Sequence, residues 1–303
     1  MKRTLLAAAV ALPTLLGCSP RAAATRVIAN ALSATPSGNV YAQDDDPELV
    51  QAAVPFGLKT LEGLLAEHPE HVGLLTALAT GFTQFGYGFV QADADAAELQ
   101  GRSGPAREAR ARALKLYLRA RDYGLRGLEV RHEGLAAKLR GVRDLDSALA
   151  VVGKEDVALI YWTAASWALA IAAGKEDMAL VSELPAPGAL MRRALALDEG
   201  FDEGAIHEFF VSWDAAQGGA EGLARAKEHF DRAVALSKGR KLGVLVSYAE
   251  AVLVARQDRA EFTRMLRQVL AYDAEADRAH RLANVLAQRR ARLLLEHVED
   301  LFA

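Results

Sequence analysis

Cysteine is almost absent from this sequence, in which Cys18 is the only one among 303 residues. A single cysteine has no partner for an intramolecular disulfide, so a disulfide-stapled scaffold is excluded. The protein must therefore be held together by its hydrophobic core. A chain of about 300 residues can form a large one, since it buries about three quarters of its unfolded surface on folding.

Proline is also scarce, with 9 residues, and no segment alternates apolar and polar side chains as a half-buried strand would. Alanine, leucine, arginine and glutamate are abundant instead, and they favour helices. The formal net charge is only −3, and it becomes about −5 if residues 1–17, with their two basic residues, are removed. This mildly acidic balance argues against nucleic-acid binding, in which a basic face supplies most of the affinity. The sequence thus predicts an all-α protein that binds no nucleic acid.

The first 18 residues have the pattern of a bacterial export signal. A basic start precedes an apolar run over 5–16, which is too short to span a bilayer, and a glycine stands before Cys18. The segment Leu15-Leu16-Gly17-Cys18 resembles a lipobox, in which the cysteine is diacylated and becomes the new N-terminus. We therefore expect a signal peptide over 1–17, lipidation at Cys18 and a polar tether over 18–46. The alternative is an ordinary cleaved signal with a chance cysteine.

Membrane attachment is expected through the lipid alone. Ser19 stands where an aspartate would indicate retention in the inner membrane, so a periplasmic location on the outer membrane is favoured. A second apolar segment, Ala158–Gly174, is 17 residues long and uncharged, which is at the short limit for a spanning helix. A buried helix in the centre of a helical stack fits this segment better.

Helical periodicity and capping signals continue over 47–303, which we interpret as one domain. Asp46 suits the N-cap and Pro47 the first turn of a helix that ends at His68-Pro69. Within the tether, 26–32 is predicted to form a short helix that docks on the body. Further helices are predicted over 70–89, 105–130, 133–140, 144–150, 155–173, 176–182, 187–196, 202–216, 221–236, 241–256, 259–271 and 275–300.

Internal similarity predicts a helical-repeat architecture. Four segments share a turn pattern between two helices, and they begin at Leu64, Ala194, Ala233 and Val269. The last three start 39 and 36 residues apart, near the period of about 34 residues of tetratricopeptide helix pairs. Ala226, Phe230 and Ala233 follow the small-large-small pattern that lets paired helices approach closely. Because the first unit lies far from the others, we expect a compact, decorated tetratricopeptide-like domain.

No catalytic or metal-binding constellation is found. His207-Glu208 begins an H-E-x-x-H pattern, but Val211 stands where a zinc site needs the second histidine, so His207 is predicted to cap or pack. Asp44-Asp45-Asp46 and Asp93/Asp95 lack the spacing of a calcium loop and are predicted to lie in solvated loops. The run over 288–292 is predicted to form a solvated face or carboxylate pairs, with buried arginine pairs as the alternative. We expect no enzyme, cofactor or metal.

Three groups of aromatic residues are more suggestive. The first group begins at Tyr161, and the second follows His207-Glu208. The third falls on one face of a helix and has glycines interleaved with its aromatic residues. A plain core is one interpretation, and an exposed face for a partner is another. A third is an apolar pocket or channel between helices, as is common for ligand sites. Its predicted lining is Phe82, Phe85, Phe89, Trp162 and Trp213.

Several segments together resemble those of one known family. They are Asp46-Pro47-Glu48-Leu49-Val50, Pro55-Phe56-Gly57-Leu58-Lys59, the stretch 114–124, Tyr161-Trp162, His207-Glu208-Phe209, His229-Phe230-Asp231-Arg232-Ala233, Ser237-Lys238-Gly239, Arg281-Leu282-Ala283-Asn284 and Gln288-Arg289-Arg290-Ala291. In combination, from about residue 44 to the C-terminus, they resemble the T component (TatT family) that accompanies some TRAP-type transporters.

The resemblance implies a periplasmic lipoprotein with a tetratricopeptide-like fold and a pore or cavity in each protomer. It also implies a homotrimer that contacts a periplasmic substrate-binding protein of the transporter, and it brings no catalytic residues. Two hypotheses follow. The first is an adaptor that docks the binding protein and passes an apolar small ligand through an aromatic-lined cavity. The alternative is a structural scaffold of the cell envelope that binds protein partners in an open groove and takes no small ligand.

Overall fold

The computed structural model of the protein describes Thr25, Ala29, Asn30 and residues 40–302. All secondary structure in this part of the chain is helical, which confirms the predicted all-α class. The signal peptide, Cys18 and most of the tether lie outside the described residues. The α-helices of the first half are α1 (Pro47–Glu67), α2 (Val72–Phe85), α3 (Ala92–Leu99), α4 (Ser103–Arg131), α5 (Leu135–Arg140), α6 (Leu145–Leu149) and α7 (Val157–Ala173).

The second half continues with α8 (Met178–Val181), α9 (Pro185–Leu197), α10 (Ala205–Ala216), α11 (Gly219–Ser237), α12 (Gly243–Tyr248), α13 (Arg259–Ala271), α14 (Arg281–Glu296) and α15 (Val298–Leu301). Two π-helices, π1 (Gly86–Gln91) and π2 (Ala249–Leu253), continue α2 and α12. Helix α13 has the predicted bounds. The predicted helices over 70–89 and 241–256 each contain a π-helix that the sequence pattern did not reveal.

Local capping sets the bounds of α1 as predicted. The Asp46 carboxylate accepts a hydrogen bond from the Leu49 amide at 3.0 Å, and Pro47 occupies the first turn, where its missing N–H costs nothing. The helix ends before His68, whose amide donates to the Leu64 carbonyl at 3.1 Å. The next helix starts the same way, because the His71 ring accepts from the Leu74 amide at 3.1 Å.

Helices α4 and α7 pack very closely in the larger core. A Cβ built on Gly124 of α4 would lie 2.9 Å from Thr163 Cβ and 3.2 Å from Thr163 Cα, so glycine is needed for this approach. On α7, Trp167 is fully buried and donates to the Glu183 carboxylate at 2.7 Å. Arg121 of α4 binds the same carboxylate at 3.1 Å. This contact fixes α7 in the protein interior.

Two stretches of the described chain are long and apolar enough to cross a membrane by length and composition, Pro47–Glu67 and Lys154–Ala173. The second is 61% buried within the protein, in keeping with the predicted core helix. The first is 17% buried and exposes the apolar side chains of Leu49 and Phe56. Core helices of soluble proteins pass the same test, so neither stretch is evidence of a membrane span.

The helix pair α10–α11 and its neighbour α12 have the packing expected of a tetratricopeptide-like unit. Ala226 and Ala233 of α11 are buried, and a Cβ built on Gly204 would lie 3.2 Å from Ala233 Cα. Phe230, between the two alanines, stacks on Tyr248 of α12 with 4.2 Å between ring centroids. The small residues thus permit close approach while the phenylalanine joins successive elements, which is compatible with the predicted repeat.

The last long helix, α14, packs against the start of the domain. The Leu282 amide donates to the Ala42 carbonyl at 3.0 Å. Arg289 binds Glu48, 241 positions earlier in the chain, at 2.6 Å. Leu286 lies 3.4 Å from the position of a Cβ built on Gly88 of π1. These contacts bring α14 and the first helices together, and they place π1 next to the C-terminal half.

Residues near the start of the tether dock at the turn between α1 and α2. Thr25, Ala29 and Asn30 are helical, and Ala29 is fully buried. Thr25 Oγ1 lies 2.7 Å from His68 Nε2, and Asn30 Oδ1 lies 2.8 Å from His71 Nε2. At Ala29 and Asn30 the structure agrees with the short helix predicted over 26–32 that docks on the body, and Thr25, just before that range, is helical as well.

Candidate functional site

Residues from six helical elements form an interacting group, which we name the central cluster. Its members lie on π1, α3, α7, α10, π2 and α14, and they interact through hydrogen bonds, ion pairs or mutual electrostatic effects. They are Tyr87, Asp95, Tyr161, Glu208, Glu250 and Arg290. The cluster forms where α14 meets the first helices, so its existence depends on that contact.

Two members of the central cluster come from π-helices. Tyr87 lies in π1 and Glu250 in π2. A π-helix accommodates an extra residue per turn, is rare in proteins and is frequently found at functional sites. Both π-helices of the described chain supply a residue to the same cluster, and this coincidence identifies the cluster as the candidate site.

Arg290 is the positively charged member of the cluster. Its Nε donates to Glu250 Oε1 at 3.1 Å, and its Nη2 lies 3.6 Å from Asp95 Oδ2. Asp95 also accepts a hydrogen bond from Gln91 at 2.7 Å. The remaining guanidinium nitrogen, Nη1, is buried and has no hydrogen-bond partner within the described residues. Arg290 therefore joins α14 to π2 and α3 and keeps one donor available.

Tyr87 and Tyr161 indicate that the cluster surrounds a recess. Tyr87 is 55% exposed, so water reaches its ring. Burial nevertheless raises the pKa of Tyr87 above its ordinary value, and the carboxylates of Glu250 and Glu208 add to this effect. Burial likewise raises the pKa of Tyr161, again with a contribution from Glu208. We interpret the combination of an exposed Tyr87 ring and strong desolvation of both tyrosines as a water-accessible recess, with the two rings on its wall.

Within the central cluster, Glu208 is the carboxyl group that has no hydrogen-bond or ion-pair partner among the described residues. Its side chain is half-buried on α10, and it forms no hydrogen bond or ion pair with any residue of the described chain. Burial raises the pKa of Glu208, while the ammonium of Lys241 opposes that shift. Gly243 provides room for the carboxyl group, since a Cβ there would stand 2.8 Å from Glu208 Oε1.

The aromatic residues that the sequence predicts as a cavity lining fall into two groups. Phe82, Phe85 and Phe89 are 4%, 5% and 8% exposed and belong to the larger core. Trp162 and Trp213 are half-buried. The ring of Trp162 lies edge-on to Tyr161 of the central cluster, with 4.9 Å between centroids. Trp162 is therefore the predicted residue that lies beside the recess.

Trp213 packs away from the charged centre of the cluster. It stacks on Phe209 with 5.3 Å between ring centroids. It also fills the space left by Gly188 of α9, where a Cβ would come within 2.8 Å of the indole. Trp213 thus joins α10 to α9 by close packing of its ring.

His207 packs within the α10–α11 pair, as predicted. Its Nδ1 lies 2.7 Å from Nδ1 of His229, and its Nε2 lies 3.2 Å from Glu199 Oε1. Burial lowers the pKa of both histidines. Two neutral rings can share one hydrogen bond, whereas two protonated rings would both be donors at this contact.

The prediction of a solvated loop at Asp93/Asp95 was wrong. Both residues lie on α3, where Asp95 is held by Gln91 and Arg290. The sequence pattern missed this because the arginine partner comes from the other end of the chain. For the run over 288–292, the prediction of carboxylate pairs was correct at Arg289 and Arg290.

Sequence reasoning did not select the members of the central cluster as a site. Two local signals were nevertheless present. Glu208 is the only acidic residue in the stretch Ala205–Val211, which is apolar apart from Glu208 and His207, and Tyr87 stands between two glycines. A lone carboxylate on a buried helix face needs a partner or a ligand, so it was the signal that pointed most directly to this site.

Comparison with known proteins places the whole domain in one family. A family model described as TRAP transporter T-component matches residues 43–302. An uncharacterized protein of Treponema pallidum (strain Nichols) is 29% identical over 310 residues, covering 94% of this chain and 93% of that protein. The family match agrees with the resemblance seen in the sequence, and it covers far more than half of the chain. The protein belongs to the TRAP transporter T-component family.

Proposed function

We propose that this protein is a periplasmic lipoprotein adaptor that docks the substrate-binding protein of a TRAP-type transporter. The family match over 43–302 carries the proposal, because membership implies association with a TRAP transporter. We further propose that a small ligand passes between the two proteins through the recess of the central cluster. The exposure of Tyr87 inside an otherwise enclosed site supports this second part.

The ligand is proposed to have an apolar part. Trp162 offers a half-buried aromatic surface beside Tyr161, where a ligand in the recess would contact it. The other aromatic residues of the proposed binding set act on the shape of the wall. Phe82, Phe85 and Phe89 do so from the larger core, to which Phe89 belongs as a residue of π1, and Trp213 does so from α10.

The proposed attachment is a lipid on Cys18, with the outer membrane favoured. Thr25 and Asn30 dock on the turn between α1 and α2, which supports a short connection from lipid to body. A homotrimer is part of the proposal, and α1 offers exposed apolar side chains, Leu49 and Phe56, for contacts between protomers.

The test is native mass spectrometry of the mature protein, purified gently from its own envelope. We expect a trimer that carries a small-molecule adduct and a substrate-binding protein whose peptides identify it as the TRAP component. Trp162→Leu should remove the adduct and keep the binding protein. Phe56→Ser should shift the trimer towards monomer and keep the adduct, so each variant serves as the control for the other.

The alternative function is a structural scaffold that binds protein partners without a small ligand. It predicts a bare protein with no adduct and no TRAP binding protein in the same experiment. The water-accessible recess favours the adaptor, since a scaffold gains nothing from an unpaired carboxyl group inside its body.

A further inference from the structure

The charges around the recess do not balance. Glu208 responds electrostatically to Lys241 and Asp202, and Tyr161 responds to Asp202. Asp202 and Lys241 form an ion pair with each other at 2.7 Å. At the other side of the cluster, Arg290 is shared between Glu250 and Asp95. The recess is thus surrounded by four carboxyl groups and only two cations. Glu208 is the one of the four that no described residue pairs with.

This excess of negative charge selects the kind of ligand. An anion would have to approach four carboxyl groups, and the two cations that could attract it, Arg290 and Lys241, are already paired with carboxylates. A cation would pair with Glu208 and relieve the cost of keeping that group half-buried and alone. Electrostatics therefore favours a positively charged ligand.

The surrounding groups favour an organic cation over a metal ion. Within the described chain, no group of three or more histidine, cysteine, aspartate or glutamate residues is arranged to hold a metal. Glu208 instead acts electrostatically on Tyr87 and Tyr161, and Trp162 lies edge-on to Tyr161. Aromatic faces attract ammonium groups. An ammonium with an apolar body matches both kinds of neighbour.

Two further atoms point to a polar occupant of the site. The Tyr117 hydroxyl is fully buried, and it has no hydrogen-bond partner within the described chain. Its ring lies against π1, 2.8 Å from a Cβ built on Gly86, and it responds to Tyr87 and Asp95. Together with Arg290 Nη1 it leaves hydrogen-bonding capacity unused beside the recess. Both groups can donate, so an ordered water or an uncharged oxygen of the ligand would satisfy them, whereas the charged nitrogen of the ligand would not.

We propose that the recess binds a small organic cation, whose charged nitrogen pairs with Glu208 while its apolar part lies against Tyr87, Tyr161 and Trp162. The inference rests on the proposed function, because it names the class of the ligand that the adaptor carries. Glu208 is the residue that determines the charge of the ligand, and the aromatic rings determine its shape.

The test compares two probes of the same shape. Choline carries a quaternary ammonium, and 3,3-dimethylbutan-1-ol is its neutral carbon analogue. We expect calorimetry on the mature protein to show saturable binding of choline, at least about 10-fold tighter than binding of the alcohol. Glutarate, a small dianion, should not bind.

The variants assign the selectivity to Glu208. Glu208→Gln keeps the size of the side chain and should abolish the preference for choline over the alcohol. Glu221→Gln, on the exposed start of α11, is the matched control and should leave the preference unchanged. Tyr87→Leu removes an aromatic face while keeping Glu208, and it should weaken choline binding about 3-fold or more. It is the second test in case Glu208→Gln alters the fold.

Several results would overturn the inference. The wild-type protein would not bind choline, would bind the neutral analogue equally well, or would bind glutarate more tightly than choline. The fourth such result is a Glu208→Gln variant that prefers choline over the alcohol as strongly as the wild-type protein does. Co-purification of the substrate-binding protein is scored separately in the same preparation. An intact complex without choline selectivity would reject the cationic ligand alone, whereas choline selectivity without the binding protein would reject the adaptor alone.

Discussion

Arg290 on α14 and Glu250 in π2 form the ion pair that joins the last long helix to the second π-helix. The Arg290 Nε donates to Glu250 Oε1 at 3.1 Å, and both side chains are less than one third exposed. Partial burial reduces screening by water, so this contact is stronger than a surface ion pair. We infer that it holds the wall of the recess in place.

Removing Arg290 should destabilise the protein. Arg290→Met leaves Glu250 and Asp95 half-buried without their counter-ion, and we expect a loss of about 2 kcal/mol in the free energy of unfolding. Arg264→Met is the control, because Arg264 pairs with Glu261 on an exposed face, and its effect should be much smaller. Urea unfolding of both variants measures the difference, and equal losses would contradict the role assigned to Arg290.

The histidine pair should make stability depend on pH. Burial holds the pKa of His207 and His229 below the ordinary 6.5, so the unfolded chain binds protons first as the pH falls. Their stabilising contribution is therefore complete above about pH 6.5 and decreases as the pH falls towards the folded pKa values. Thermal unfolding at a series of pH values should show a shallower decline for the double variant His207→Gln/His229→Gln. Parallel curves for the two proteins would refute this assignment.

The close approach of α4 and α7 should depend on Gly124. Gly124→Ala places a methyl group against Thr163, including its Cα at 3.2 Å, so we expect a loss of about 1–3 kcal/mol from overpacking. The control is Gly63→Ala in the interior of α1, where nothing lies within 4 Å of the new methyl group. That change should stabilise by about 0.5–1 kcal/mol through helix propensity. Denaturant titration distinguishes the expected loss of stability in Gly124→Ala from the expected gain in Gly63→Ala. Unchanged stability in Gly124→Ala would show that α4 and α7 can move apart at no cost in free energy.

The lipid on Cys18 stays a prediction, since this residue lies outside the described part of the chain. Intact mass spectrometry should show that residues 1–17 are missing and that lipid is added at the new N-terminus. Cys18→Ser should move the protein from the membrane fraction to the soluble periplasmic fraction. A wild-type protein found unmodified in the soluble fraction would support the ordinary cleaved signal instead.

Local features of the chain could be predicted because their causes are local. Asp46 and Pro47 start α1 through contacts within one helical turn, and periodicity located α13 with its observed bounds. Ala226 and Ala233 were recognised as sites of close packing for the same reason, since their spacing places them on one helix face. The two π-helices were not recognised, because an extra residue per turn leaves composition and overall apolar pattern unchanged.

The sequence by itself determined the helical class, most helix positions, the candidate export signal and the family resemblance, since these depend on neighbours along the chain or on matching segments. Only the tertiary structure decided which side chains meet around the recess. Arg290 finds Glu250 across 40 positions, and the contact between Arg289 and Glu48 that brings α14 to the first helices spans 241. Glu208 could not be identified as unpaired until the helices around it were packed, because a charge lacks a partner only with respect to its neighbours in space.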